Sequence, residues 1–295
     1  MRSINDELWA HFQPLWQDFL AIDRDVLVAG GYGLFLKQQW LLQQEVAEIV
    51  LPLSRWQDAT PRVTKDLDLV VGLDLVADQT RNEQLLSALI AHGFCVSEKP
   101  AGKRWQFVKD LGDRRRVIAE LHTPSPSAEY ENLKTDGIRV KHKPSLGDDG
   151  VHGRLNPEAV GANIHSFSFS YQDTSLKLPN ALTWSIMKLT AAADRWQLSQ
   201  DRNSDAELRS FSNAQAIKHG NDVFRIVAMM SRVERDSCEG VKDEIQGSPE
   251  FQHAAEIYRN FFVGADQWAD EVLQRNWLPE DRIIMHSVLA SWFTR

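Results

Sequence analysis

The stretch Arg62 to Val71, RVTKDLDLVV, constrains the fold more than any other part of the chain. Asp66 and Asp68 are one residue apart in a run with Leu67, Leu69, Val70 and Val71, bounded by Pro61 and Gly72. Such a run reads as a strand. Side chains at i and i+2 of a strand share a face, so the two carboxylates stand side by side while Leu67 and Leu69 enter a core. Neighbouring carboxylates repel unless a cation lies between them. Hard oxygen ligands suit Mg²⁺ or Mn²⁺. Standing alone, a D-x-D pattern reads equally as the solvated face of a strand.

The residues upstream give that pattern a context. VLVAGGYG, residues 26–33, predicts a short apolar strand at 26–29, a Gly30–Gly31 turn and a helix over 32–45. Glycines at a strand-to-helix turn let backbone N–H groups approach a phosphate, and the helix N-terminus behind them favours negative charge. A phosphate cradle followed by a paired-carboxylate strand is what metal-dependent phosphoryl or nucleotidyl transfer needs. The patterns G-x-x-x-x-G-K-[ST] and G-x-G-x-x-G are absent, which weighs against Walker-type and Rossmann sites.

A strand ending in Gly-Gly, a helix, and then R-x-[ST]-x-D-[LI]-D-L resembles the nucleotidyltransferase superfamily of DNA polymerase β. Within it, the chain is most similar to the AbiEii/AbiGii-type branch, the toxins of type IV toxin–antitoxin and phage-abortive systems. The residues that carry the resemblance are Gly30, Gly31, Arg62, Thr64, Asp66 and Asp68. It implies an α+β fold: a polymerase-β-like mixed sheet with flanking helices, then a C-terminal helical domain. Residues 1–125 would be the catalytic core, 126–180 a connecting β and irregular region, and 181–295 the helical domain completing a cleft. Gly30, Gly31, Arg62 and Thr64 would bind the nucleotide, and Asp66 and Asp68 would hold Mg²⁺ or Mn²⁺. In the superfamily a third carboxylate lies on a later strand beside the first two. Glu120, in RVIAELHT (116–123), is the candidate, in place of the more usual Asp. Its other reading is a solvent-facing residue on a hairpin, and His122 beside it reads as a structural or surface histidine.

Two helical segments extend the resemblance. LPNALTWSIMKLTAAADR is similar to a family segment in which Pro opens an apolar helix carrying K-L-x-A-x-x-x-R. It implies that Lys188 contacts phosphate or organises the carboxylates; the alternative is a snorkelling lysine. AIKHGNDVFRIVAMMSR (216–232) loosely resembles the last family motif, with Asp222 as its acidic residue, or as a helix N-terminal residue answering the dipole.

The remaining chain sets bounds. Its 295 residues suit one large domain or two ordinary ones. The formal charge of −8 disfavours a globally basic nucleic-acid binder, leaving room for a local basic patch. Arg139, Lys141, His142 and Lys143, with Lys103, Arg104 and Arg114 to Arg116, would form one, or would be solvated surface. Cys95 and Cys238 stand alone, which gives no disulfide framework and fits a reducing cytoplasm. The N-terminal segment is acidic and amphipathic, unlike a signal peptide, and no apolar run reaches membrane-spanning length. The periodicity predicts a helix over 4–22, with a kink or a late start at Pro14, and another over 80–92 with Leu85, Leu86, Leu89 and Ile90 facing in and Gly93 at its cap. Strands are expected at 94–99, 105–111 and 116–123, the last two as a hairpin, and at 165–171 and 174–180. Residues 124–163 read as irregular with short strands at 137–141, and from Pro179 onward the pattern is helical.

The expected function is a cytoplasmic, Mg²⁺-dependent nucleotidyltransferase moving NMP from NTP to an acceptor. By resemblance that acceptor is tRNA or a protein, the activity is toxic, and a cognate antitoxin protein accompanies it. Two alternatives stand beside it: a small-molecule, antibiotic-modifying nucleotidyltransferase, and a catalytically silent interaction module on the same fold.

Overall fold

A computed structural model describes residues 4–44, 48–62, 64–99, 104–143, 150–263, 268–269 and 276–294, with only the backbone of 4–6. The chain is α+β, with a mixed sheet, helices, and a helical C-terminal region. It forms two compact units: residues 1–36, 62–159 and 166–179 in the first, and 37–61, 160–165 and 180–295 in the second. They interleave in sequence, whereas the expected segments 1–125, 126–180 and 181–295 are contiguous.

The chain runs α1 (Ile4–Ile22), β1 (Leu27–Val28), α2 (Gly30–Gln43), β2 (Asp66–Val70), α3 (Leu73–Ala77), α4 (Gln79–Ala91), β3 (Cys95–Val96), β4 (Gln106–Asp110) and β5 (Arg116–Thr123). Then come β6 (Leu133–Asp136), β7 (Arg139–His142), β8 (Gly153–Leu155), β9 (Phe167–Tyr171) and β10 (Thr174–Leu178). Helices α5 (Ala181–Gln200), α6 (Ala206–Ala228), α7 (Arg232–Ile245), α8 (Pro249–Ile257) and α9 (Pro279–Phe293) follow.

The sheet order is β1-β2-β5-β8-β7-β6, with β4 on the first half of β5 and β3 on β4. Strand β1 is antiparallel to β2, while β2–β5 and β5–β8 are parallel. Leu67, Leu69 and Val71 are buried, as their alternation requires. Helix α1 stays continuous through Pro14 and buries Phe12, Leu15, Trp16 and Phe19. The Trp16 indole donates to the Ser175 carbonyl at 2.8 Å, fastening α1 to the β9–β10 hairpin.

The β4–β5 hairpin forms as expected. Asp113 and Arg114 both have positive φ (51° and 61°), the backbone that a tight hairpin turn demands. Helix α4 is capped by Asp78 and ends at Gly93, whose φ is +79°. Ile90 departs from expectation: it is 57% exposed. The segment 124–163 departs further, since β6, β7 and β8 extend the main sheet from it. Those strands have three or four residues, and β6 exposes three of its four side chains, too short and polar for an alternation signal. Of the expected basic patch, Lys103 lies outside the described residues and three others are used within the fold. Arg104 is buried and donates to the Gly150 carbonyl, and Arg139 and Lys141 both pair with Asp136.

In the second unit, Asn180, Asp205 and Ser231 cap α5, α6 and α7. Helix α6 begins at Ala206, well before the expected 216, so Asp222 lies in a helix interior and has no N-terminal role. Helix α2 starts in the first unit and its residues from Lys37 onward belong to the second. Lys37 is buried and ion-paired to buried Glu234, whose other oxygen accepts the Ser231 N–H of the capping box. Cys238 on α7 is 1% exposed, and burial pushes its thiol up to about 12; Cys95 is exposed. No helix among the described residues is long and apolar enough to cross a membrane.

Candidate functional site

The site lies in the first unit, where β1 turns into α2 beside β2. The Ala29 N–H donates to the Asp68 carbonyl at 2.8 Å, fixing the turn against the strand. Gly30 then takes φ +62°, a conformation that L side chains rarely adopt. A Cβ there would fall 1.7 Å from Asp68 Oδ2, so glycine is required twice over. The Asp68 carboxylate therefore packs against the first residue of α2, where the helix dipole favours a negative charge. A Cβ on Gly31 would lie 3.4 Å from Arg62 Cγ and 3.5 Å from Thr64 Cβ. Gly30, Gly31, Arg62, Thr64 and Asp68, far apart in sequence, thus share one neighbourhood.

Strand pairing supplies the rest. In the parallel β2–β5 ladder Asp68 is directly opposite Glu120, and Val70 opposite His122. Glu120 and His122 share a face of β5, so Asp68, Glu120 and His122 converge. One ligand atom from each lies within 4.8 Å of the others. His122 Nε2 is 3.4 Å from Asp68 Oδ1 and 3.6 Å from Glu120 Oε2. Its Nδ1 is buried with no hydrogen-bond partner among the described residues.

Glu120 is held from two further sides. Gln106 Nε2 donates to its Oε1 at 2.7 Å, from β4, and Arg154 donates to its Oε2 at 2.9 Å, from β8. The Arg154 guanidinium lies over the Trp105 ring, 5.0 Å from its centroid.

No protein-family model, curated protein or solved structure matches this chain. Two carboxylates and an imidazole are a donor set that fits a divalent cation. The oxygens suit Mg²⁺ or Mn²⁺, and the imidazole extends the range to borderline metals such as Zn²⁺. The set does not single out Mg²⁺.

The expected residues fall into three places. Asp68 and Glu120 lie in the triad. Asp66 stands two residues earlier on the same face, exposed, with its N–H donating to Thr64 Oγ1 at 3.2 Å, and is outside the triad. Lys188 and Asp222 pair with each other in the second unit at 3.2 Å, both buried, with His219 Nδ1 3.9 Å from the same carboxylate. Arg55, the other arginine flanking the loop before β2, pairs with buried Asp281 in that unit. The sequence reads His122 as a structural or surface histidine and gives no role to Gln106 or Arg154. The Ile118–Glu120–His122 alternation was the available signal for His122; Gln106 and Arg154 are brought in by strand order.

Proposed function

We propose that this chain is a metal-dependent nucleotidyltransferase, moving NMP from an NTP to a macromolecular acceptor, tRNA or protein, as the toxin-like partner of a cognate antitoxin. The observation that supports this best is the packing of Asp68 against Gly30 at the first turn of α2. It sets a carboxylate beside a helix N-terminus and a glycine turn, where a triphosphate and its cation would both be received. On this reading Gly30 and Gly31 admit the phosphates, Arg62 offsets their charge and Thr64 braces the strand that carries Asp66 and Asp68. Asp68, Glu120 and His122 would hold a divalent ion, Mg²⁺ or Mn²⁺, with Asp66 adding an oxygen from the same face. Such an ion supplies Lewis-acid stabilisation of charge on the phosphoryl oxygens.

The test is label transfer from NTPs, in Mg²⁺ or Mn²⁺, to total tRNA, to protein, or to aminoglycosides. Label on RNA or protein, abolished in Asp66→Ala/Asp68→Ala, is the expected result. Label confined to aminoglycosides supports the small-molecule enzyme instead. Undiminished transfer by the double variant overturns the assignment. One observation favours a catalytically silent module: both oxygens of Glu120 are engaged by Gln106 and Arg154. That reading predicts no transfer and no melting shift with NTP and metal.

A further inference from the structure

Strand β8 brings a cation to the carboxylates. In the parallel β5–β8 ladder Arg154 is directly opposite His122, so it rises from the face that carries Glu120 and His122. Its guanidinium donates to Glu120 Oε2, the same oxygen that faces His122 Nε2 at 3.6 Å. Gln106 takes the other oxygen with a neutral donor, orienting the carboxylate without adding charge.

We infer that Arg154 is a built-in counter-cation of the Asp68–Glu120–His122 cluster, competing with a divalent metal for Glu120 Oε2 and so lowering the affinity of the site for metal. The inference rests on the reading of that cluster as a metal site. Two carboxylates this close repel, and a guanidinium at 2.9 Å offsets part of that repulsion. A divalent ion at the same oxygen meets the positive charge of Arg154 and must displace it or bind against it. Displacement is feasible because the Arg154 side chain is 43% exposed, against 15% for Glu120. The guanidinium can leave for water without becoming a buried, unpaired charge. The indole of Trp105, stacked beneath it, gives it a second resting contact.

The experiment is Mn²⁺ titration of the full chain, by calorimetry or by the free-Mn²⁺ paramagnetic signal, without nucleotide. Arg154→Gln and Arg154→Met remove the charge; Arg154→Lys keeps it. Both neutral variants are expected to bind Mn²⁺ about tenfold tighter at low ionic strength, a gain that shrinks as salt screens the removed charge. Arg154→Lys should stay near wild type. Asp68→Asn in the Arg154→Gln background should abolish the binding. A neutral variant that binds Mn²⁺ no tighter than wild type overturns the inference, leaving Arg154 as a brace for a ligating Glu120. Absence of Mn²⁺ binding in wild type and every variant overturns it together with the metal-site reading. Label transfer by wild type decides the proposed function separately.

Discussion

The buried charges of the second unit and the carboxylate cluster of the first are built on opposite plans. In the second unit two ion pairs are kept from water: Lys37 with Glu234, and Lys188 with Asp222. Removing one partner takes the opposite charge away from a group held in a low-dielectric interior. In the first unit two carboxylates share an imidazole and one guanidinium, and Asp68 keeps 28% of its side chain exposed. Buried pairs of this kind fix a fold, whereas the partly wet cluster is where the proposed divalent ion would be received.

That contrast can be broken by substitution. The largest effect is expected at a buried pair: Glu234→Ala should cost about 3–5 kcal/mol in denaturant unfolding, since it takes the opposite charge away from Lys37 and deletes half a capping box. A loss below about 1 kcal/mol would place that pair among weak surface contacts. Next is an acid-sensitive element of the first unit. Burial, then the charges of Arg104, Arg139 and Lys141, lower His152 to about 4. A histidine with a depressed folded-state value contributes stability that is fully present above its unfolded value near 6.5 and is lost as pH falls through about 4. Unfolding measured at pH 7.5 and pH 4 should differ by roughly 3 kcal/mol more in wild type than in His152→Gln. An equal acid loss in both proteins would remove His152 as its cause.

Gly30→Ala should cost roughly 2 kcal/mol, from positive φ and from displacing the Asp68 side chain, and should also abolish Mn²⁺ binding. Retained Mn²⁺ binding in that variant would separate the glycine turn from the cluster. The smallest effect is expected at the cluster itself. Asp68→Asn should change stability by less than about 1 kcal/mol, because it relieves repulsion, while eliminating any Mn²⁺-dependent rise in melting temperature. A large loss of stability here would make Asp68 as structural as Glu234 and erase the contrast.

What the sequence made legible was local. The Gly30–Gly31 turn, the alternation of β2 and the β4–β5 hairpin follow from φ requirements and from the period of two. Glu120 was reached through the family resemblance, which implies a third carboxylate on a later strand; alternation alone puts it on a face with Ile118 and His122. His122 shares that face but reads alone as an ordinary histidine, and only the in-register pairing of β2 with β5 gives it Asp68 as a neighbour. Arg154 was out of reach, since β8 is three residues long and its place beside β5 depends on strand order. Asp205 caps α6 well before the family-like segment 216–232, and no residue of 201–213 carried the resemblance.

The unequal surroundings of the two cysteines make the chain its own conformational reporter. An alkylating reagent at neutral pH meets Cys95 in the native protein, whereas the thiol of Cys238 is both sheathed and held in its unreactive form. Mass spectrometry would register one adduct while α7 stays packed and two once it opens. Every variant above can thus be sorted, without a dye or a tag, into those that disturb chemistry at the cluster and those that loosen the helices.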